Sequence, residues 1–274
     1  MKSFTKIILV LTFASLLAAC GGGKLENNPV KPPSSKQSRN HDNMKYLPIP
    51  RLTGRWSVED VLQDYGAYSV KKLNPYFKRA NVAYPPSEVV FVALKQEKKM
   101  ELWAKGEGDG EFRFIRDYDI QAASGVSGPK LRQGDRQVPE GVYRIVSLNP
   151  NSHYHLSMKL DYPNEFDLFH ARDDGRFDLG GDIFIHGKAA SIGCLAMGDE
   201  AIEELFVLAA HVGKENVKVV IAPRDPRVLP LDTDALFLPG WTGELYDQIA
   251  NEIQTLSPNV KVSKNATSTQ SSPQ

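Results

Sequence analysis

Hydrophobic positions along this chain switch between a helical and an alternating period. Ser57-Val58-Glu59-Asp60 opens a short helical pattern to Tyr65, with Ser57 as N-cap and Asp60 in the third position. From Glu88 the period becomes that of strands. Val89 to Leu94, Met100 to Ala104 and Glu111 to Tyr118 read as a meander, broken by the polar run 95–99 and the Gly/Asp-rich run 106–110. Gly141 to Leu148 and His153 to Leu160 read as two further strands, with Asn149-Pro150-Asn151-Ser152 as the turn between them. Asp182 to His186 is a short apolar strand ending on a histidine. Ile202, Leu205, Phe206 and Ala209 then fall at helical spacing in a helix from Glu200 to about His211, with Asp199 as its expected N-cap. Gly213 closes that helix, Val217 to Ile221 returns as a strand, and Trp241 to Thr255 is a last helical pattern. The fold class is therefore α+β, mainly β with a few helices. A helical lead-in (51–84) precedes a main domain (85–225), and a helical extension (226–256) packs on its outside. A polar tail (257–274) is expected to be disordered.

The first residues add an address. Lys2 and Lys6 precede an apolar stretch, Ile7 to Leu17, that is too short for the roughly 20 residues of a spanning helix. Leu17-Ala18-Ala19-Cys20 follows. This reads as a secretory signal (1–19) whose processing site resembles the lipobox of bacterial lipoproteins, with Cys20 as the lipidated residue. A Gly/Pro/Ser/Asn-rich linker (20–50) then tethers the folded part to a membrane. Gly21 after the cysteine favours the outer membrane, by analogy with lipoprotein sorting.

Lys+Arg and Asp+Glu are equal at 33 each, which leaves no basic excess for phosphates and argues against a nucleic-acid partner. Cysteine usage changes the picture more. With Cys20 lipidated, Cys194 is the one thiol left and has no internal disulfide partner. An unpaired thiol in an oxidising compartment invites oxidation, so its retention calls for a purpose. The segment Gly180 to Met197 supplies one. A thiolate is the nucleophile and a free thiol is mostly protonated at neutral pH, so a base is wanted beside it. His186, at the end of a strand, suits that role. Eight residues in extended form span up to about 27 Å, so the chain must fold back to bring the pair together. Gly187 and Gly193 supply the freedom to do so. The backbone N–H groups of Gly193 and Cys194 are candidate oxyanion donors.

His186-Gly187 and Ser191-Ile192-Gly193-Cys194 resemble the active-site motif of the L,D-transpeptidase (YkuD-domain) family. Two positions depart from it. Ile192 replaces the usual histidine, and Ala196 the usual Arg or Asn. Pro139-Glu140-Gly141-Val142-Tyr143, Asn149-Pro150, Tyr154-His155-Leu156-Ser157 and Tyr162-Pro163-Asn164 are similar to the YafK branch. The resemblance implies a YkuD-like, β-sandwich-like catalytic fold over about 85–223, with no cofactor. It also implies a cysteine enzyme acting on peptidoglycan peptide stems through a thioester, as a transpeptidase, a carboxypeptidase or an amidase. Release of a murein-attached lipoprotein is among its possibilities. The contrasting class is a non-catalytic murein-binding lipoprotein that tethers the outer membrane to the wall.

The remaining polar residues carry two readings each. Ser191 either orients the loop or satisfies a turn. His155, read as mid-strand, either lines the site or is a core or surface histidine. Tyr162 and Asn164 either contact the substrate backbone or end a strand. His153 and His155 lack a carboxylate at ligand spacing, which argues against zinc, and Asp173 to Asp178 lacks the remaining positions of a calcium loop.

Overall fold

The computed structural model describes residues 54–233 and 236–257. The signal segment, Cys20, the linker and the tail after Ser257 lie outside the described residues. Nine strands form one hydrogen-bonded order, β3-β2-β1-β9-β5-β6-β7-β8-β4. They are β1 (Glu88–Leu94), β2 (Lys99–Lys105), β3 (Arg113–Asp119), β4 (Ala122–Ala123), β5 (Gly141–Ser152), β6 (His155–Leu160), β7 (Phe184–His186), β8 (Leu195–Ala196) and β9 (Val217–Ala222). Strand β1 runs parallel to β9, and β7 parallel to β8; the other pairs are antiparallel. Strand β5 joins the two halves of the order. Its start, Gly141 to Arg144, pairs with β9, and the rest, from Ile145, pairs with β6. With helices α1 (Val58–Ala80), α2 (Glu165–Asp173), α3 (Asp199–Val212) and α4 (Thr242–Leu256), the chain is α+β.

Six of the seven β1 residues are buried, without alternation. The reason is that β1 faces a core on each side. Val89, Phe91 and Ala93 join Val61, Leu73 and Phe77 of α1 and Leu205 and Phe206 of α3. Val90, Val92 and Leu94 pack instead on Leu245, Ile249 and Ile253 of α4. The C-terminal helix thus builds a second core on the opposite face of the sheet.

Several elements differ from their expected form. Helix α1 does not stop at Tyr65. It continues to Ala80 through Pro75, because Val61, Tyr65, Ser69, Leu73 and Phe77 make a buried stripe four residues apart. Its start is the expected capping box of Ser57 and Asp60. Asn149-Pro150 is not a turn. Strand β5 runs on to Ser152, and its register shifts between Asn149 and Ser152, which accommodates the proline. The turn is His153-Tyr154. The N-cap of α3 is Gly198, at φ +82°, and Asp199 is the first helical residue.

Helix α2 was not anticipated. Asn164 caps it, its side chain accepting from Asp167 N (3.1 Å) while Asp167 accepts from Asn164 N (3.0 Å). Burial pushes the Asp167 carboxyl up to about 7, above its ordinary value of 3.8. The folded state therefore holds a proton that the unfolded chain has released between those two values, so this site loses stability as pH rises through 7. Asp167→Asn keeps a cap acceptor and is expected to stabilise the domain at pH 8 by about 2–4 kcal/mol and not at pH 4. Urea unfolding at both pH values measures it; equal effects at the two would refute the assignment.

Candidate active site

Strands β7 and β8 lie side by side in parallel register, Ile185 opposite Leu195 and His186 opposite Ala196. Ile185 and Leu195 point into the core. Alternation then sends His186 and Cys194 to the other face, one diagonal step apart. The fold-back expected between them is thus performed by strand pairing, reinforced by the Met197 N–H donating to His186 O (2.8 Å).

The His186 Nδ1 lies 2.6 Å from Gly187 O. A carbonyl only accepts, so Nδ1 carries the proton and Nε2 is left with its lone pair. Burial pushes this imidazole down from its ordinary value, and the Gly187 carbonyl opposes that. Cys194 is half-buried. Burial pushes its thiol up, while the Phe184 backbone N–H pulls it down. The thiol donates towards Asp182 O at 3.8 Å. Among the described residues no hydrogen bond joins it to His186. Both shifts favour the neutral pair, thiol and imidazole, over a preformed thiolate–imidazolium.

The cysteine loop is organised by Ser191. Its Oγ accepts from Gly193 N (3.3 Å), Cys194 N (3.2 Å) and Ser124 N (3.2 Å), and donates to Cys194 O (2.6 Å). The Gly193 and Cys194 N–H groups, the candidate oxyanion donors, thus donate to a hydroxyl within the loop. Gly193 sits at φ +130°, a region that side chains rarely adopt. Ile192 is exposed at the loop tip. Ala196 is fully buried and is paired with His186 on one side and Ala122 on the other.

Tyr162 and Asn164 do not reach the site. Tyr162 is buried and its hydroxyl donates to the Lys130 and Leu179 carbonyls. The Asn164 amide is used by the α2 cap and by Val142 O. His155 is not mid-strand either. It opens β6 at φ +73°, with Nε2 2.6 Å from Glu203 Oε1 of α3.

Three contacts at the site have no forerunner in the sequence reading. The Tyr154 ring covers that of His186, with centroids 4.6 Å apart at 38°. Asp199 accepts the Lys188 N–H (2.8 Å) and so ties α3 to the chain leaving His186. Ser124, just beyond β4, bonds Ser191. Tyr154 stood in the quoted Tyr-His-Leu-Ser motif, but the misplaced turn hid its direction.

Comparison with known proteins follows the same residues. The family model described as YkuD, L,D-transpeptidase catalytic domain, matches residues 87–221. YafK of Escherichia coli (strain K12), named provisionally as an L,D-transpeptidase, is 36% identical over 143 residues, covering 50% of this chain and 54% of that protein. The chain thus spans about half the length of the curated relatives it matches. Among solved structures, the helical cell shape determining protein Pgp2 (K307A mutant) of Campylobacter jejuni is similar at 20% identity and a TM-score of 0.41, covering 61% of this chain and 55% of that one. Bd1075 of Bdellovibrio bacteriovorus is similar at 19% and 0.37, covering 52% and 50%.

Proposed function

Residues 87–221 of this chain belong to the YkuD family of L,D-transpeptidase catalytic domains, and from that premise we propose a cell-envelope cysteine enzyme acting on peptidoglycan peptide stems. The observation that supports this reading is the parallel pairing of β7, which ends on His186, with β8, which begins directly after Cys194, together with the short contact of His186 Nδ1 to Gly187 O. Nε2 is thereby the free base. In the first half-reaction the Cys194 sulfur bonds to a stem carbonyl carbon while His186 Nε2 takes the thiol proton. The C–N bond then breaks, and the leaving amine receives that proton from His186. In the second, an acceptor attacks the thioester carbon and gives its proton to His186, the C–S bond breaks, and His186 returns that proton to the departing sulfur, restoring the thiol. Water as acceptor gives a carboxylate, hence a hydrolase; an amine gives a new amide, hence a transpeptidase.

Hydrolysis is the favoured branch. Ala196 is buried and apolar where the family motif usually has a polar side chain two residues after the cysteine, and the resemblance to the YafK branch implies hydrolytic members among its kin. Release of a murein-bound lipoprotein belongs to this proposal, as does anchoring of the chain through Cys20 to the outer membrane. The test incubates the purified chain with murein sacculi and reads released muropeptides and proteins by mass spectrometry. Trimmed stems or freed protein that vanish with Cys194→Ala support the hydrolase, and new crosslinks that vanish support transfer. Identical products with and without Cys194 would sink catalysis and leave a murein-binding tether.

A further inference from the structure

The turn between β5 and β6 is built with unusual features, and they converge on one side chain. His155 takes a left-handed backbone, φ +73°, and its ring is bound to Glu203, a carboxylate that α3 buries. Tyr65 of α1 packs edge-on against the same ring at 5.6 Å. The Tyr154 N–H donates to Ser152 Oγ (3.1 Å), and Lys188 Nζ donates to His153 O (2.5 Å). On the other side, the Tyr154 carbonyl comes so close to Gly187 that a Cβ there would lie 2.7 Å from it. A buried carboxylate and a left-handed non-glycine residue are each unfavourable alone. Together they turn the chain sharply enough to lay Tyr154 over His186. Tyr154 as a residue is 41% exposed and stands outside the buried core.

We propose that Tyr154 is a positioning residue for His186: its ring face holds the imidazole in orientation and stabilises the imidazolium that forms when Nε2 takes the Cys194 proton, with the His155–Glu203 pair setting the turn that places it. This rests on the reading of His186 as the base. An aromatic face attracts a cation and is nearly indifferent to the neutral ring, so the contact strengthens as charge develops. The geometry is two-sided. The Gly187 carbonyl fixes Nδ1, and Tyr154 blocks rotation of the ring plane, so Nε2 keeps one heading. The charged groups around the pair are Lys188, whose Nζ is 5.9 Å from the Tyr154 ring centre, Asp199, bound to the Lys188 N–H, and the His155–Glu203 pair behind the turn. Cys194 immediately precedes β8, the strand paired with β7. Burial pushes His186 down, and a ring face that favours the imidazolium acts in the opposite sense.

The experiment follows the His186 ring by NMR titration in the unliganded full chain, assigned by its loss in His186→Gln. In parallel, turnover of purified murein sacculi is measured against pH. Tyr154→Leu is expected to lower the His186 midpoint by about half a unit, the size of an exposed cation–π contact. It should cut kcat about 10-fold, with KM changed less than about 2-fold. Tyr154→Phe keeps the ring face and should hold both values within about 2-fold of the parent. Glu203→Gln should move the midpoint in the leucine direction by a smaller amount. A folded leucine variant that titrates like the parent overturns the proposal, and so does a phenylalanine variant that falls as far as leucine. If the leucine variant does not fold, an unmoved midpoint in Glu203→Gln overturns it instead. The titration needs no turnover, so failure of the contact and failure of the proposed activity are read separately.

Discussion

His186→Gln is expected to lower turnover of sacculi by about 10²–10⁴-fold, the usual contribution of a positioned general base, while leaving alkylation of Cys194 almost unchanged. The asymmetry follows from the electrostatics of the neutral pair. Burial pushes the imidazole down and the thiol up, so the resting site does not hold a thiolate waiting beside an imidazolium. Removing His186 therefore removes the proton acceptor needed during attack, not a charge that stabilises a thiolate beforehand. Iodoacetamide alkylation of Cys194 should rise with pH to a midpoint above the ordinary thiol value of about 8.5, in the parent and in His186→Gln alike. The sign for turnover runs the other way. A depressed imidazole stays neutral to lower pH, so the acidic limb of kcat/KM should fall below the ordinary histidine value of 6.5. Fast alkylation at pH 6 that disappears with His186→Gln would establish an ion pair and reject this account.

The signals that mark the candidate site are local. A lone thiol, a strand-ending histidine and two glycines lie within a few residues of one another in the chain. The β-branched run of β1 likewise declares a strand, since little else accommodates Glu88–Leu94. What stayed hidden depended on partners distant in sequence. Nothing local distinguishes a strand facing two cores from one facing a single core, so the packing of α4 on Val90 and Val92 was out of reach. Leu73-Asn74-Pro75 looks like a helix stop, yet burial of Leu73 and Phe77 on α1 overrides the missing Pro75 donor. Asn149-Pro150 is the clearest case. Turn chemistry favours those residues, but the β5–β6 register carries them in an irregular stretch and turns at His153-Tyr154. Moving the turn by four residues takes Tyr154 from a strand interior to the tip over His186. One misread turn thus concealed both Tyr154 and the strained setting of His155. For the candidate oxyanion donors, loop composition indicates where N–H groups are, and Ser191 decides where they point.

Gly187→Ala is expected to be the most damaging small substitution in the site, and conformational freedom is not the reason. A Cβ at this position would lie 2.6 Å from Asp199 Oδ1, 2.7 Å from Tyr154 O and 3.1 Å from His155 Cβ. The Asp199 carboxylate can swing aside, at the expense of its bond to Lys188 N. Tyr154 O is backbone, and it yields only if the whole β5–β6 turn moves away from β7. That movement would stretch the Gly187 N–H to Leu156 O bond (3.2 Å) and lift the Tyr154 ring from His186. Overpacking of this kind costs about 1–3 kcal/mol, and its catalytic effect should exceed its effect on stability. Urea unfolding should show that loss, while sacculus turnover by the protein that remains folded falls by about 10-fold or more. Gly181→Ala is the control. It lies in the segment leading into β7, and a Cβ there meets nothing within 4 Å, so stability should stay within about 0.5 kcal/mol of the parent. Should Gly187→Ala match Gly181→Ala in both measurements, the turn is not seated against Gly187, and the route from α3 through His155 and Tyr154 to the base has no mechanical basis.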